Sequence, residues 1–214
     1  MTYRAKPILM TLAMGLALGA CSGGGRLDEL GGVYTERSLC PQLGIPAGTG
    51  DITLFHPGGT AANYIDVTAT ITNLRSTCYE EGGQLISAAT YDIVAQRRDT
   101  GPQRTVMLPV YNVAMQAGTD VVAKRVGQVA VSFENGSLLG QASAASSIRV
   151  SRAAVTLPED VRRELTRKRK PGEVDAAIDP LTQPEVRAAV ARATFEHLVG
   201  FQLGQDQLKY NATR

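Results

Sequence analysis

The chain has 214 residues, with 22 Lys and Arg against 20 Asp and Glu, which gives a formal net charge of +2. Two of the bases, Arg4 and Lys6, lie in the first twenty residues, which hold no acid, so the rest of the chain balances at 20 of each sign. A balanced chain lacks the basic surface that neutralises phosphates, which argues against nucleic-acid binding. The length and a hydrophobic share of 43% are enough for one domain with a buried core.

The N-terminal segment has the pattern of a secretory signal peptide. The two bases precede an apolar run, Ile8–Ala20, whose roughly 13 residues fall short of the ~20 that cross a bilayer as a helix. The run ends in Leu-Gly-Ala-Cys at 18–21. This tetrad resembles the lipobox of bacterial lipoproteins, in which the Cys is lipidated and becomes the first mature residue. We therefore expect residues 1–20 to be removed and Cys21 to carry lipid.

The residues after the lipobox predict where the anchored domain lies. Ser22 follows Cys21, and in the Gram-negative sorting pattern that this segment resembles, a residue other than Asp directs a lipoprotein to the outer membrane. Two or more acyl chains hold a protein stably on a membrane without a spanning helix. Residues 21–38 are rich in Gly, and such chains behave as flexible coils. They are expected to tether a periplasmic domain, residues 39–214, to the membrane.

The number of cysteines is consistent with a periplasmic domain. Lipidation of Cys21 leaves two of the three cysteines, Cys40 and Cys78, in the oxidising periplasm, where a disulfide is the favoured state. A metal site that combines them with His56 and His197 is the alternative, but no CxxC or HxxxH spacing supports it. The sequence predicts a Cys40–Cys78 disulfide, and neither a metal site nor a cofactor.

The body of the chain reads as a β-sandwich. Its clearest strand is Ile65–Thr72, where β-branched and small apolar residues alternate with polar ones. Pro109 predicts an edge strand or a bulge, and Asn135-Gly136 predicts a turn. Seven short strands with turns between them are typical of an immunoglobulin-like antiparallel sandwich. The predicted strands span residues 52–55, 65–72, 85–95, 105–115, 121–133, 141–151 and 195–203.

A helical insertion is predicted at about residues 157–193. Its first helix opens at Leu157–Asp160, with Pro and acids in the first turn, and a second begins at Pro184. Residues 194–199 fit either the stripe of this second helix or the start of the last strand.

The insertion also holds a basic run. It is either a solvated helix end or a contact for anionic lipid, lipopolysaccharide phosphate or an acidic protein. Its members are Arg162, Arg163, Arg167, Lys168, Arg169 and Lys170.

Signs of catalysis are few. The chain has no GxSxG, HExxH, P-loop or GxGxxG motif. His56 and His197 have no sequence neighbours that indicate a triad, so we predict a protein that is not an enzyme and has no catalytic residues. A hydrolase would need one of these histidines beside a Ser and an acid in the fold.

Several motifs resemble those of a family of small alphaproteobacterial outer-membrane lipoproteins that have no assigned reaction. They are Cys40-Pro41, Phe55 with Pro57-Gly58, Cys78-Tyr79, Leu198–Leu203 (LVGFQL) and Gln207–Asn211 (QLKYN). The resemblance implies a β-rich domain between the motifs and favours a strand over a helix for residues 195–203. Residues 160–193 have no counterpart in that pattern and read as an insertion.

Together these features predict a non-catalytic outer-membrane lipoprotein that serves as a structural or interaction module of the cell envelope. Its expected partners are the membrane, through Cys21, and an envelope protein, with anionic lipid or lipopolysaccharide as a further contact. Accessory lipoproteins of envelope or barrel assembly are one such class, by analogy only. The alternative function is a carrier or sensor of a small periplasmic ligand held between the sheets.

Overall fold

The computed structural model describes residues 25–27, 33–35, 38–167, 172 and 178–213. The chain divides into two units, residues 1–38 and 39–214. The described part of the first unit is a short antiparallel pair, β1 (Gly25–Leu27) and β2 (Val33–Thr35), within the expected tether. The predicted signal peptide and the lipidation site, Cys21, lie outside the described residues.

The second unit is mainly β, as predicted. All seven predicted strands are present, and an eighth of three residues, β3, is too short to give an alternating pattern. The strands are β3 (Gln42–Gly44), β4 (Asp51–Phe55), β5 (Ile65–Glu81), β6 (Gln84–Arg97), β7 (Arg104–Gln116), β8 (Asp120–Phe133), β9 (Leu139–Ser151) and β10 (Phe195–Phe201).

These strands form one curled sheet in the order β3-β10-β7-β8-β9-β6-β5-β4. Every neighbouring pair is antiparallel except β3 and β10, which run parallel. Strands β8 and β9 share a single bridge, Phe133 with Gly140. The sheet therefore has two layers joined at that bridge: the first layer is β3-β10-β7-β8 and the second is β9-β6-β5-β4. The predicted sandwich-like fold is confirmed, with its two layers as halves of one sheet.

The main core lies between the two layers and is formed by the side chains of each strand that point inward. Successive side chains of a strand alternate between faces, and the apolar positions of β5 and β6 fall on the same inward face. Burial of apolar surface at about 25 cal/mol per Å² makes this contact the main stabilising term. Buried members include Val67, Ala69, Ile93, Leu108, Val131, Phe133, Val199 and Phe201.

A second, smaller apolar cluster lies where β6 and β10 begin and where β7 and β9 end. Its buried members are Leu85, Ala114, Ile148, Val150, Val155 and Phe195. Val155 enters from a one-turn helix, α1 (Arg152–Val155), that follows β9 directly. The packing of Phe195 in this cluster resolves the ambiguity at residues 194–199 in favour of the strand.

The described part of the insertion contains the two predicted helices. They are α2 (Glu159–Thr166) and α3 (Pro184–Arg192), and Pro184 starts α3 as expected. Short 3₁₀ turns occupy Ala62–Tyr64 and Pro180–Thr182. A final helix, α4 (Gln205–Thr213), was not predicted, because it carries no buried apolar residue and so has no strong stripe.

The prediction that Pro109 marks an edge or a bulge is wrong, because β7 lies between β10 and β8. The ladder of β7 with β10 ends at the pair Val110–Phe201. Pro109 is the next residue, and its carbonyl accepts the N–H of Gln202 at 2.9 Å. The N–H that proline lacks thus falls at the end of the ladder, where its loss breaks no strand pairing.

The predicted disulfide is confirmed. The sulfurs of Cys40 and Cys78 are bonded at 2.07 Å, and the two residues have a sequence separation of 38. Cys40 precedes β3 in the first layer and Cys78 lies in β5 of the second, so the bond joins the two layers. Cys78 also packs against the smaller apolar cluster.

Replacing both Cys40 and Cys78 by Ser should lower the free energy of unfolding by about 4 kcal/mol, because the open chain gains the entropy of a 38-residue loop. Chemical denaturation under non-reducing conditions measures this difference. Adding a reductant to the wild-type protein should lower its stability to that of the double variant and leave the variant unchanged. Equal stabilities without reductant would contradict the structural role of the bond.

Candidate binding cleft

A cleft opens between β8 and β9 where the two layers part. Past the Phe133–Gly140 bridge, the two strands form no further ladder pairs. The strands flank an open hollow of about 630 Å³. Residues 125–130 of β8 form one wall, residues 142–147 of β9 form the other, and residues 110–112 of β7 lie beneath. Two strand edges without ladder partners therefore face each other across an open space.

The closed end of the cleft is fixed by a glycine and a buried arginine. A Cβ atom at Gly140 would lie 2.8 Å from the carbonyl oxygen of Ser132, so only glycine lets β9 start this close to β8. Arg97 is 4% exposed and stacks over the ring of Phe133. Its guanidinium donates hydrogen bonds to the backbone carbonyls of Gly101, Pro102, Glu134 and Ser137, which holds the β8–β9 turn in place.

Tyr91 of β6 also lines the cleft. Its side chain is 3% exposed, and burial raises the pKa of its phenol above the ordinary value of 10.0. The hydroxyl therefore stays protonated at neutral pH and can donate as well as accept. It has no hydrogen-bond partner among the described residues, and it is not one of the fully buried polar atoms, so it reaches the hollow. A hydroxyl that opens onto a cleft is available to a bound ligand.

The cleft walls are lined by small side chains and basic groups. The β9 wall, residues 142–147, consists of Ala and Ser only. Arg125 of β8 is exposed and has no hydrogen-bond or ion-pair partner in the part of the chain that the structure describes. A smaller hollow of about 120 Å³ adjoins it and is lined by Arg125, Arg149 and Asn112, among others. No Asp or Glu lines either hollow, although Asp92 accepts a hydrogen bond from Ser143 of the β9 wall, so the charged groups that border the hollows directly are basic.

A polar seam separates the two apolar clusters beneath the cleft. His197 of β10 is fully buried, and its Nδ1 lies 3.1 Å from the hydroxyl of Ser87 on β6. Its Nε2 lies 3.5 Å from the hydroxyl of Ser146, which lines the cleft. Asn112 of β7 continues the seam, because its amide donates to the carbonyl oxygen of Ser147 at 3.0 Å. The seam therefore joins both layers by hydrogen bonds at the cleft floor.

The environment of His197 favours a packing role for this side chain. Burial lowers its pKa from 6.5 to about 4, so the imidazole is neutral at pH 7. A base with such a low pKa accepts a proton from a serine poorly at that pH. The group that contacts its other ring nitrogen is the Ser87 hydroxyl, where a catalytic triad has a carboxylate.

The second histidine lies elsewhere, in a small charged group. His56 Nε2 is 3.6 Å from Asp66 Oδ1, and Arg104 pairs with the same carboxylate at 2.8 Å. No three side chains of His, Cys, Asp or Glu cluster as metal ligands within the described ranges. Across the same residues, no helix is both long and apolar enough to span a membrane.

The structure places half of the predicted basic run. Arg162 and Arg163 lie on α2, Arg167 directly follows it, and Lys168, Arg169 and Lys170 are outside the described residues. Arg162 pairs with Glu159 at 2.6 Å, and Arg167 pairs with Glu164 at 3.7 Å. These i,i+3 pairs neutralise two of the three described bases.

The C-terminal motif that carried the family resemblance has a structural role. The ring of Tyr210 on α4 meets Phe55 of β4 edge to face at 5.1 Å. Asn211 donates to the backbone carbonyls of Gly48 and Asp51, both at 2.9 Å. The motif therefore fastens α4 to the outer edge of the second layer, away from the cleft lining.

Comparisons with known proteins returned no match: no protein-family model, curated protein or solved structure is significantly similar to this chain. The resemblance to alphaproteobacterial lipoproteins therefore remains a prediction.

The cleft residues Tyr91 and Arg125 were not identified from the sequence. Tyr91 sits at an inward position of a well-patterned strand and reads as core. One signal was present: β9 carries an unbroken stretch of Ala and Ser at 142–147, whose weak alternation indicates a strand with little of its surface packed.

Titration of His197 should make stability fall as the pH is lowered. Between about pH 6.5 and pH 4 the unfolded chain binds a proton that the buried imidazole does not. As the pH is lowered through this range, the free energy of unfolding should fall by about 1.4 kcal/mol per pH unit. The stability that the buried neutral imidazole allows is therefore fully present only above pH 6.5. Denaturation of wild type and His197→Gln from pH 7.5 to pH 4 measures the difference. Parallel curves for His197→Gln and wild type would contradict the assignment.

Proposed function

We propose that the protein is a non-catalytic lipoprotein of the bacterial outer membrane whose periplasmic domain binds another component of the cell envelope. The observation that carries the proposal is the cleft, in which two strand edges without ladder partners face an open hollow. A sheet edge presents a row of free N–H and C=O groups that can pair with another chain. Soluble proteins usually cover or block such edges, so a long open pair favours a binding role.

The chemistry of the site supports binding over catalysis. The cleft offers backbone groups, one phenol whose hydroxyl opens onto the hollow, basic side chains and small residues, which together can hold a partner in place. The imidazole nearest the cleft is buried and neutral, and it is hydrogen-bonded within the polar seam. An accessory role in envelope or barrel assembly fits a small domain on a lipid anchor, as an analogy.

A carrier of a small periplasmic ligand is the second candidate. The volume of about 630 Å³ is within the range of small-molecule sites, and Tyr91 supplies a polar group at the floor. Such sites are mostly enclosed and apolar, whereas this cleft is open along its length and flanked by backbone edges. Native mass spectrometry of the protein purified from its host would reveal a copurifying ligand and favour the carrier.

The lipid anchor is tested by Cys21→Ala. We expect this variant to leave the membrane fraction and appear in the periplasmic extract, because the acyl chains provide the membrane affinity. Cell fractionation with a high-salt wash separates lipid anchoring from ionic adsorption. A matched change of the next residue, Ser22→Ala, should leave the protein in the membrane pellet. Retention of Cys21→Ala after the wash would exclude the anchor.

The interaction role is tested by mild crosslinking in cells, detergent extraction and affinity purification of the full-length protein. A stoichiometric envelope protein that is absent from a mock purification supports the proposal. Recovery of lipid alone would contradict it.

A further inference from the structure

We infer that the cleft binds an extended acidic segment of a partner protein, which adds as a strand to the free edge of β8. The inference rests on the proposed function and names the partner chemistry of the same site. Strand addition takes its affinity from main-chain hydrogen bonds and its specificity from pockets for alternate side chains. The cleft provides both, as its geometry shows.

The edge of β8 is the open one. On β9, the carbonyl of Ser147 already accepts a hydrogen bond from Asn112, so that edge is partly occupied. The β8 edge has no ladder partner other than at Phe133. The two hollows border residues 123 and 125–130 of β8, which at about 3.3 Å per residue is a span of about 26 Å. An extended segment of seven or eight residues matches this length.

Charge selects the class of segment. Arg125 and Arg149 border the smaller hollow, Arg125 also borders the larger one, and neither hollow has an acidic residue. Arg125 has no partner among the described residues, so its guanidinium is free to make a paired contact with a carboxylate. A segment with Asp or Glu at this position would be held, whereas Lys or Arg there would be repelled.

Tyr91 provides a second, independent contact. The residue is 97% buried, but its hydroxyl reaches the larger hollow and has no described partner. A side chain of the bound strand can exchange a hydrogen bond with this hydroxyl. The facing Ala and Ser side chains of β9 leave room for that side chain to enter.

A strand edge favours a polypeptide over other anionic ligands. Lipid headgroups and lipopolysaccharide phosphates are held by clusters of cations, whereas this cleft has two arginines beside a long row of backbone groups. These anionic surfaces, and a second copy of this chain that pairs edge to edge, are therefore outcomes that the test must separate.

The experiment pans a displayed library of random ten-residue peptides against the full-length protein in detergent. The most enriched peptide is then labelled with fluorescein, and its Kd is measured by fluorescence anisotropy. We expect enrichment of Asp or Glu among β-branched residues. N-methylation of the peptide amides that face β8 should abolish binding, whereas N-methylation of the alternate amides should leave the Kd within about twofold, because strand partners bond through every second residue.

Protein variants assign the contacts. Arg125→Glu should weaken binding by about tenfold or more, since it replaces a charge-assisted contact with repulsion. Tyr91→Phe should weaken it by several-fold through loss of one hydrogen bond.

Lys124→Glu is the matched control, because Lys124 lies next to Arg125 but sits over the ring of Tyr111 on the other face of β8. It should leave the Kd within about twofold, which separates local contact from net charge.

Circular dichroism and thermal melting verify that each variant is folded. If Tyr91→Phe melts early, the exposed Arg125→Glu still decides the outcome. The inference is overturned if no peptide is enriched, if Lys124→Glu weakens binding as much as Arg125→Glu, or if the N-methylated series shows no alternation. It is also overturned if Arg125 instead governs binding to phosphatidylglycerol vesicles, or self-association in analytical ultracentrifugation.

This test can fail without the proposed function failing. If crosslinking in cells recovers the same envelope partner with wild type and Arg125→Glu, the interaction role stands and the cleft is not its surface. If Cys21→Ala stays on the membrane or no partner is recovered, the proposed function fails, while the measured peptide affinity is unaffected.

Discussion

The architecture depends on one backbone contact, the bridge between Phe133 and Gly140. Without a Cβ, residue 140 lets the first residues of β9 touch the end of β8, and the eight strands become one sheet at this point. The buried guanidinium of Arg97 fixes the turn that leads there, and Phe133 enters the main core directly beside it. Because the contact is confined to one end, the strands beyond it can separate. The single bridge between β8 and β9 therefore joins the two layers at one end and leaves the cleft open beyond it.

A second constraint keeps that opening from collapsing. The two apolar clusters would merge if the positions between them were also apolar, but those positions are His197, Ser87 and Ser146. Hydrogen bonds are directional, so this seam sets the relative position of β10, β6 and β9 more narrowly than apolar packing does. The cleft floor is thus held by bonds across the layers, and a partner would meet a preformed surface, which lowers the cost of binding.

Most of the fold was predictable because the strands that form the core alternate strongly. Residues 65–72 and the inward positions of β6 gave both the strand assignments and the buried face. The disulfide was predictable because Cys40 and Cys78 are the only cysteines left once Cys21 is assigned to the lipid anchor. The cleft was not predicted, because it arises from the absence of pairing between β8 and β9, and the only sign of this in the two strands is the weakly alternating Ala and Ser stretch at 142–147. The prediction of an edge or a bulge at Pro109 was wrong for a similar reason. The effect of this proline depends on where the ladder between β7 and β10 ends, which is a property of the tertiary structure.

The Cys40–Cys78 bond links folding to the compartment that the sequence predicts. A thiol pair stays reduced in the bacterial cytoplasm and oxidises in the periplasm. With both thiols reduced, the two layers are held by the core and the polar seam alone. If the protein is exported as the sequence predicts, it would gain its covalent link only after translocation. The chain would then be easier to keep unfolded before export and more resistant to unfolding afterwards.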